Sequence, residues 1–234
     1  LKHAKKAEEL GADALVIQGS EGGGHTGLTP TTLLLSSVLE SVRIPVVAAG
    51  GFRDGSGLAA SLAWGADGIA MGTRFMMAQE SPVPKNTKEA YLSAAVEDIK
   101  ITKKFDGLSH RLIFNNYIKK IDRSNPMSLF IMSISSAWKY KKLTKASYAD
   151  LTKSFIAMLK GDDLTISQSI MSAKSPAIIQ KAMVEGSPDE GAMPSGQVAG
   201  LISNLPTCKE LIDEIMREFT SAVANLRSID GDKL

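Results

Sequence analysis

Three short apolar runs, each followed by a glycine-containing loop, occupy the first third of this 234-residue sequence. The runs are predicted strands at Ala14 to Gln18, Ile44 to Ala49 and Gly68 to Met71. Helical patterns lie between them, from Thr31 to Val42 and from Asp54 to Trp64. Continuously apolar strands that alternate with amphipathic helices are typical of a parallel sheet covered on both faces. The sequence therefore predicts an α/β fold.

After Arg74 the strand signal disappears, and the rest of the chain has helical spacing. Five helices are predicted there, at Thr87 to Ile99, Ser109 to Lys120, Ser147 to Leu159, Pro176 to Val184 and Thr207 to Leu226. We therefore expect two regions. Residues 1–80 hold the sheet and its loops, and residues 81–234 form a mainly helical region.

Glycine is concentrated in the loops after the predicted strands, since thirteen of the twenty glycines lie between Gly11 and Gly72. In a parallel sheet, the loops at the carboxyl ends of the strands bind ligands. The Gly50-Gly51 and Gly72-Thr73 turns follow two successive strands. Without side chains there, backbone N–H groups can converge on an anion. The two turns together predict a phosphate site.

The loop after the first predicted strand runs from Gln18 to Gly27 and contains three successive glycines followed by His25. Consecutive glycines allow the backbone to approach a flat ligand closely. An imidazole next to them would stand at the edge of that ligand and could act as a general acid or base. His25 is thus the candidate catalytic residue. Glu21 in the same loop has two open interpretations, which are orientation of backbone or ligand hydroxyls and capping of a turn.

Composition excludes several other classes of protein. A net charge of only +2 argues against a dedicated nucleic-acid binder. The one cysteine, Cys208, cannot form an intrachain disulfide or a cysteine metal cluster, so we expect an intracellular protein. No run reaches the roughly 18 apolar residues of a membrane span. His3 and His110 have no cysteines or paired carboxylates at ligand spacing, so no metal site is predicted.

Positive charge is concentrated between Lys100 and Lys145, where eleven lysines and arginines stand against only two acids, Asp106 and Asp122. Such a stretch is consistent with a solvated helical face. It is also consistent with a surface that meets an acidic partner.

Three motifs, in this order and spacing, resemble the FMN-dependent nitronate monooxygenases, once called 2-nitropropane dioxygenases. They are Gln18 to Gly27, Pro45 to Gly57 and Gly65 to Phe75, and Met193 to Gly200 resembles the family's C-terminal Ser-Gly-Gln segment. The related FMN-dependent enoyl-acyl-carrier-protein reductases share much of this pattern. One departure is Gly22, where the family usually has alanine.

The resemblance implies that the three strands are the C-terminal part of a (β/α)₈ TIM barrel followed by a mostly helical extension. About five strands would precede Leu1 and supply the other half of the flavin site. We therefore expect the chain to be part of a longer barrel, since three strands cannot close one.

The resemblance also implies roles for the matching residues. His25 would be the catalytic histidine beside the flavin. The isoalloxazine ring and ribityl chain would be lined by Gln18, Gly19, Gly23 and Gly24. The FMN phosphate would be held by Gly50, Gly51, Gly72 and Thr73. Further contributions would come from Ser195 and Gln197, although Ser195 equally suits the cap of a helix.

The activity implied by the resemblance is FMN-dependent oxidation of alkyl nitronates or nitroalkanes by O2, which yields a carbonyl compound and nitrite. One alternative is an NAD(P)H-dependent enoyl-acyl-carrier-protein reductase. Another is an incomplete flavin- or phosphate-binding remnant that acts as an interaction module. The expected partners are a nitronate or enoyl thioester and O2, without nucleic acid or membrane. The expected location is the cytoplasm, and a homodimer is left open.

Overall fold

A computed structural model describes residues 1–124 and 175–228. The helices are α1 (Lys2–Glu9), α2 (Thr31–Leu39), α3 (Gly55–Ala63), α4 (Thr73–Met76), α5 (Lys85–Leu92), α6 (Asn116–Arg123), α7 (Ser175–Met183) and α8 (Cys208–Arg227). The strands are β1 (Leu15–Gln18), β2 (Gly24–His25), β3 (Val46–Ala49), β4 (Gly68–Ala70), β5 (Ile99–Thr102) and β6 (His110–Ile113). Short 3-10 helices lie at Val96–Asp98 and Gln197–Leu201. The predicted helix from Ser147 to Leu159 and part of the basic stretch lie outside the described residues.

The first sheet is parallel and has the strand order β1-β3-β4. Its register pairs Ile17 with Ala48 and Ala48 with Ile69. Side chains from β1 and β3 pack with Leu35 and Val38 of α2 into one buried apolar cluster. The three predicted strands and the α/β class are confirmed, and the three carboxyl ends lie together at one edge of the sheet.

The second sheet is antiparallel, with the order β2-β6-β5, and contradicts part of the sequence analysis. The predicted helix from Ser109 to Lys120 is wrong at its start, because His110–Ile113 is a strand. The predicted helix from Thr87 to Ile99 ends at Leu92. All four residues of β6 are buried, so the strand has no alternation of polar and apolar residues to distinguish it from a helix.

Helix ends follow local sequence signals. The Asp54 carboxylate accepts a 2.9 Å hydrogen bond from the Gly57 N–H and caps α3. Helix α8 begins with a reciprocal capping box between Thr207 and Glu210. Gly11 and Gly65 end their helices with positive φ. The predicted helices from Pro176 and from Thr207 are confirmed as α7 and α8.

Helix α8 packs against α3. The Glu218 carboxylate accepts a 2.8 Å hydrogen bond from the Gly55 N–H at the first turn of α3. The face of α8 that bears Leu211 and Ile215 is buried. Within residues 1–124 and 175–228, no helix has the length and apolar character required to cross a bilayer.

Candidate active site

A pocket of about 560 Å³ opens at the carboxyl ends of the three parallel strands. Its lining comes from the ends of β1, β3 and β4, from the glycine-rich loops, and from the segment around residue 196. The lining residues are Val16, Gln18, Glu21, Gly22, Gly23, Gly24, Ala49, Gly50, Gly51, Phe52, Ala70, Met71, Gly72, Thr73, Met76, Pro194, Gly196 and Val198. The pocket therefore lies where ligand loops are expected in a parallel sheet.

Most of the residues predicted to contact a cofactor lie in this lining. Those that do are Gln18, Gly23, Gly24, Gly50, Gly51, Gly72 and Thr73. Gly19, Ser195 and Gln197 are not part of the lining. His25 is not part of it either, but it directly follows the lining residue Gly24 in the sequence. Gly19 has a packing reason for being glycine, since an added Cβ would lie 2.1 Å from Thr31 Oγ1.

The glycines of the pocket keep its walls free of side chains. Gly50 and Gly51 have φ values of +93° and +85°, a conformation that other residues rarely adopt. An added Cβ at Gly23 would lie 2.5 Å from the backbone nitrogen of Gly196. At Gly72 the equivalent position is open, with no atom of the described residues within 4 Å. The pocket is thus shaped by backbone and offers space beside Gly72.

The segment from Pro194 to Gln197 is fixed against the glycine-rich loops. The Gly196 N–H donates to Thr73 Oγ1 at 2.9 Å, and the Gln197 N–H donates to the Glu21 carbonyl at 2.9 Å. Ser195 is buried, and its hydroxyl donates to the Gly196 carbonyl. The alternative of Ser195 as a helix cap is wrong, because Gly196 precedes the 3-10 helix and no side chain caps it.

Two loop side chains have structural partners. The Glu21 carboxylate accepts hydrogen bonds from the Thr31 N–H at 3.0 Å and the Thr31 hydroxyl at 2.8 Å, at the first turn of α2. Glu21 thus caps the first turn of α2, and because it also lies in the pocket lining, orientation of ligand hydroxyls stays a prediction. The Gln18 side-chain amide donates to the His25 carbonyl at 3.2 Å and closes the loop on itself.

Arg111 ties the second sheet to the glycine-rich loop, a role that sequence reasoning missed. Its guanidinium donates to the Ser20 carbonyl at 2.8 and 3.2 Å. Burial lowers the pKa of the Arg111 guanidinium, against the opposing effect of the Glu21 carboxylate. A charged group held on a loop carbonyl fixes the position of that loop relative to β6.

His25 is held by two residues that sequence reasoning also missed, Asp106 and His110. His25 Nε2 lies 2.7 Å from Asp106 Oδ2, and His110 Nδ1 lies 2.8 Å from the same oxygen. The Asp106 and His110 side chains are buried, whereas that of His25 is 55% exposed. His110 had been expected at a helix start, but strand pairing places it directly opposite His25.

The three side chains form a hydrogen-bonded cluster. Each side chain offers one potential metal-ligand atom, and these three atoms lie within 4.8 Å of one another, which is close enough for a shared metal ion. The two contacts of Asp106 have the lengths of charge-assisted hydrogen bonds. Burial by itself raises the pKa of Asp106, but hydrogen bonds from His110, His25 and the Leu108 N–H, with the charge of His110, outweigh burial and lower it.

Asp106 is expected to stabilise the folded chain at neutral pH and to lose this effect in acid. Because its pKa is lower in the folded state, its contribution is full above the unfolded value of about 4 and declines as the pH falls through the folded value. Urea unfolding of the wild type and of Asp106→Asn at a series of pH values tests this. The difference in unfolding free energy should shrink in acid, and a difference that grew there would contradict the assignment.

The family model described as nitronate monooxygenase matches residues 1–218 of the chain. A Rhodococcus jostii protein named (3aS,4S,5R,7aS)-5-hydroxy-7a-methyl-1-oxo-octahydro-1H-indene-4-carboxyl-CoA dehydrogenase is 48% identical over 217 residues, which cover 93% of this chain and 62% of that protein. A Mycobacterium tuberculosis protein of the same name is 42% identical over 92% of this chain and 61% of its own length. A probable nitronate monooxygenase of Staphylococcus aureus is 38% identical over 50% of this chain and 36% of its own length.

Two solved structures resemble the fold over nearly all of the chain. FabK from Thermotoga maritima has a TM-score of 0.73 at 30% identity, covering 97% of this chain and 61% of that one. Nitroalkane oxidase from Streptomyces ansochromogenes has a TM-score of 0.69 at 26% identity, covering 96% and 56%. The parallel strands are the C-terminal part of a TIM barrel. Helices predominate in the described residues that follow them, and β5 and β6 there pair with β2 from the loop after β1. The chain spans about three fifths of the length of its two CoA dehydrogenase relatives, with 62% and 61% covered, and on the match of residues 1–218 it belongs to the nitronate monooxygenase family.

Proposed function

We propose that the protein is an FMN-dependent oxidoreductase that oxidises an acyl-CoA thioester. The observation that carries the proposal is the position of His25, on a buried carboxylate and next to the glycine-lined pocket. A pocket of this kind suits a flat cofactor, and the histidine suits removal of a proton from a substrate that lies against that cofactor. The proposal concerns the whole protein, of which this chain supplies one part of the site.

FMN fits the residues that form the pocket. Gly50, Gly51 and Gly72 expose backbone at neighbouring strand ends, where an anionic phosphate finds N–H donors rather than side chains. The Thr73 oxygen already accepts the Gly196 N–H, so its own hydrogen can be donated to a phosphate oxygen. The apolar side chains of Val16, Met76 and Val198 offer a surface for a ring system. When bound, FMN would supply the two-electron redox chemistry of the reaction.

The choice of a CoA thioester rests on the relatives. The two proteins named as carboxyl-CoA dehydrogenases match 93% and 92% of the chain, whereas the S. aureus nitronate monooxygenase matches 50%. A thioester carbonyl acidifies the neighbouring C–H bond, so a histidine base can remove that proton. The turn that carries Asp106 also presents Lys103 and Lys104 at the surface, where cationic side chains suit the phosphates of CoA.

Nitronate oxidation is the second candidate, and the family match favours it. A nitro group acidifies a neighbouring C–H bond as a thioester does, so His25 would have the same task with either substrate. With a preformed nitronate there is no proton to remove, and only a protonated His25 could donate a hydrogen bond to the anion, because its Nε2–H is directed at Asp106. The cytoplasmic location, the homodimer and the boundary at residue 80 stay predictions.

The test compares substrates on one flavin-loaded preparation. After addition of FMN and removal of free cofactor, the visible spectrum should show a bound oxidised flavin. Anaerobic bleaching of that band by hydroxyacyl-CoA thioesters, but not by free CoA or the free acids, is the expected result. O2 uptake with propyl nitronate and no bleaching by thioesters would support the second candidate. NAD(P)H oxidation with an enoyl thioester would support a reductase, and failure to retain FMN would contradict the cofactor assignment.

Replacing Gly72 with alanine is expected to weaken FMN binding without unfolding the chain. The added methyl group meets no atom within 4 Å among the described residues, but Gly72 lies in the pocket lining. We expect the FMN Kd to rise about tenfold, the typical effect of one misplaced methyl group in a binding site. Fluorescence titration with FMN measures it. Gly68→Ala is the matched control, since its position is equally open and outside the lining. Equal Kd values for the two variants would contradict the phosphate site.

A further inference from the structure

One carboxylate oxygen, Asp106 Oδ2, is the shared partner of two histidines. We propose that Asp106 and His110 are positioning residues that fix His25 in the tautomer whose Nδ1 accepts the substrate proton. The inference deepens the proposed function and rests on it for the identity of the reaction. The inference predicts which nitrogen atoms of His25 and His110 carry hydrogen next to the Asp106 carboxylate, and this can be measured without any substrate.

The ionised Asp106 carboxylate determines which histidine nitrogens carry hydrogen. An ionised carboxylate has no hydrogen to donate, so each nitrogen that contacts it must be the donor. His25 Nε2 at 2.7 Å and His110 Nδ1 at 2.8 Å are therefore both N–H groups. In a neutral imidazole the other nitrogen then has a free lone pair. The free nitrogens are Nδ1 of His25 and Nε2 of His110.

The two free nitrogens lie in different surroundings. The His25 side chain is 55% exposed and follows Gly24 of the pocket lining, so a substrate can reach its Nδ1. His110 Nε2 is buried and has no hydrogen-bond partner among the described residues. A proton on that atom would be a buried N–H without an acceptor, which is unfavourable. The geometry therefore assigns the role of base to His25 and a supporting role to His110.

The carboxylate itself is held in place from its other side. The Leu108 N–H donates to Asp106 Oδ1 at 3.2 Å, which leaves Oδ2 for the histidines. The His110 ring lies between its neighbours, with its centroid 4.5 Å from that of His25 and 5.1 Å from that of Phe105, which packs against it edge-on. His25 and His110 are also direct cross-strand partners in β2 and β6. The strand pairing thus fixes both rings relative to the carboxylate.

Loss of the Asp106 hydrogen bond would leave the His25 imidazole in place but no longer fixed in one tautomer. Without an acceptor at Nε2, neutral His25 would populate both tautomers, and its basic nitrogen would face the substrate only part of the time. In the proton-transfer step, the substrate C–H proton moves to Nδ1 and the electron pair stays on carbon. That step requires the Nδ1 lone pair in the correct orientation. The effect is therefore expected in kcat rather than in KM.

The decisive measurement is the nitrogen NMR spectrum of the chain labelled with ¹⁵N-histidine. The sequence has only three histidines, and His3 in the exposed part of α1 is an internal reference. We expect the Nε2–H tautomer for His25 and the Nδ1–H tautomer for His110 at neutral pH. A His25 in the Nδ1–H form, or one that averages between the two forms, would overturn the proposal in the wild type without any variant.

Variants then connect the tautomer to the reaction. Asp106→Asn should give averaged tautomers at His25 and lower kcat about 10²- to 10⁴-fold, as loss of an orienting carboxylate does in other histidine bases. His110→Leu keeps the Asp106 acceptor but removes a hydrogen bond that holds it, so it should give a smaller loss of the same kind. KM should change less than about threefold. His110→Asn is the conservative control, since its amide can place an N–H near the position of Nδ1. It should restore the tautomer and most of the activity, whereas equal loss in both His110 variants would contradict positioning. If the wild-type spectrum is as expected but no thioester or nitronate reacts, the proposed function fails and the positioning assignment stands.

Discussion

On the proposed function, replacing His25 with alanine is expected to lower kcat for thioester oxidation about 10³-fold, because the proposed base is lost while the pocket keeps its lining. His25 follows the lining residue Gly24 but lies outside the pocket wall, so FMN should bind to the variant about as tightly as to the wild type. Stopped-flow reduction of the bound flavin under anaerobic conditions measures the step directly. Because the side chain is 55% exposed, added imidazole should restore part of the rate.

His3→Ala is the matched control for this experiment, since it removes an exposed histidine from α1. It should leave the rate unchanged. A His25→Ala variant that retained more than about a tenth of the wild-type rate would show that another group removes the proton. Loss of FMN from the variant would instead show that His25 binds the cofactor.

Replacing Gly55 with alanine is expected to lower the free energy of unfolding by about 3 kcal/mol, at the upper end of overpacking effects. The added Cβ would lie 2.1 Å from the Ile215 carbonyl oxygen and 2.3 Å from the Phe219 nitrogen, both in the backbone of α8. Backbone atoms inside a helix cannot rotate away, so α8 must move as a body. That movement would also break the hydrogen bond from the Gly55 N–H to Glu218.

Gly57→Ala in the same helix is the control. Its Cβ would first meet Phe52 Cδ1 at 3.2 Å, the end of a side chain that can shift. Alanine also favours a helix over glycine by about 1 kcal/mol, so this variant should differ little from the wild type. Thermal and urea unfolding of both variants tests the prediction. Similar unfolding free energies for the two variants would contradict the close packing of α3 on α8.

Local signals in the sequence were sufficient for the parallel sheet. The strands that end at Gln18 and Ala49 are short apolar runs bounded by turn residues, and Asp54 is a cap residue directly before a helix. Each of these features is encoded within a few neighbouring residues. The glycine loops could be placed at one edge for the same reason, since parallel strands bring their carboxyl ends together.

The antiparallel sheet and the support of His25 could not be predicted in this way. Asp106 lies in a turn whose sequence has no marked function, and 81 positions separate it from His25. The pairing of β2 with β6 brings Asp106 and His25 together. Strand β2 has just two residues and lies within the loop that follows β1 of the parallel sheet. All four residues of β6 are buried, and polar and apolar residues do not alternate along it. Its sequence therefore does not distinguish a strand from a helix. Contacts of this kind depend on tertiary structure, which the hydrophobic periodicity of a short segment does not predict.

The pairing of β2 with β6 joins two parts of the chain at the candidate site. Most of the pocket lining lies at the strand ends of the parallel sheet, whereas the carboxylate that contacts His25 lies in the β5–β6 hairpin. The two parts are coupled, because β6 pairs with Gly24 of the pocket lining and Arg111 holds the Ser20 carbonyl of the same loop. A change in the hairpin is therefore expected to disturb both the support of His25 and the shape of the pocket wall.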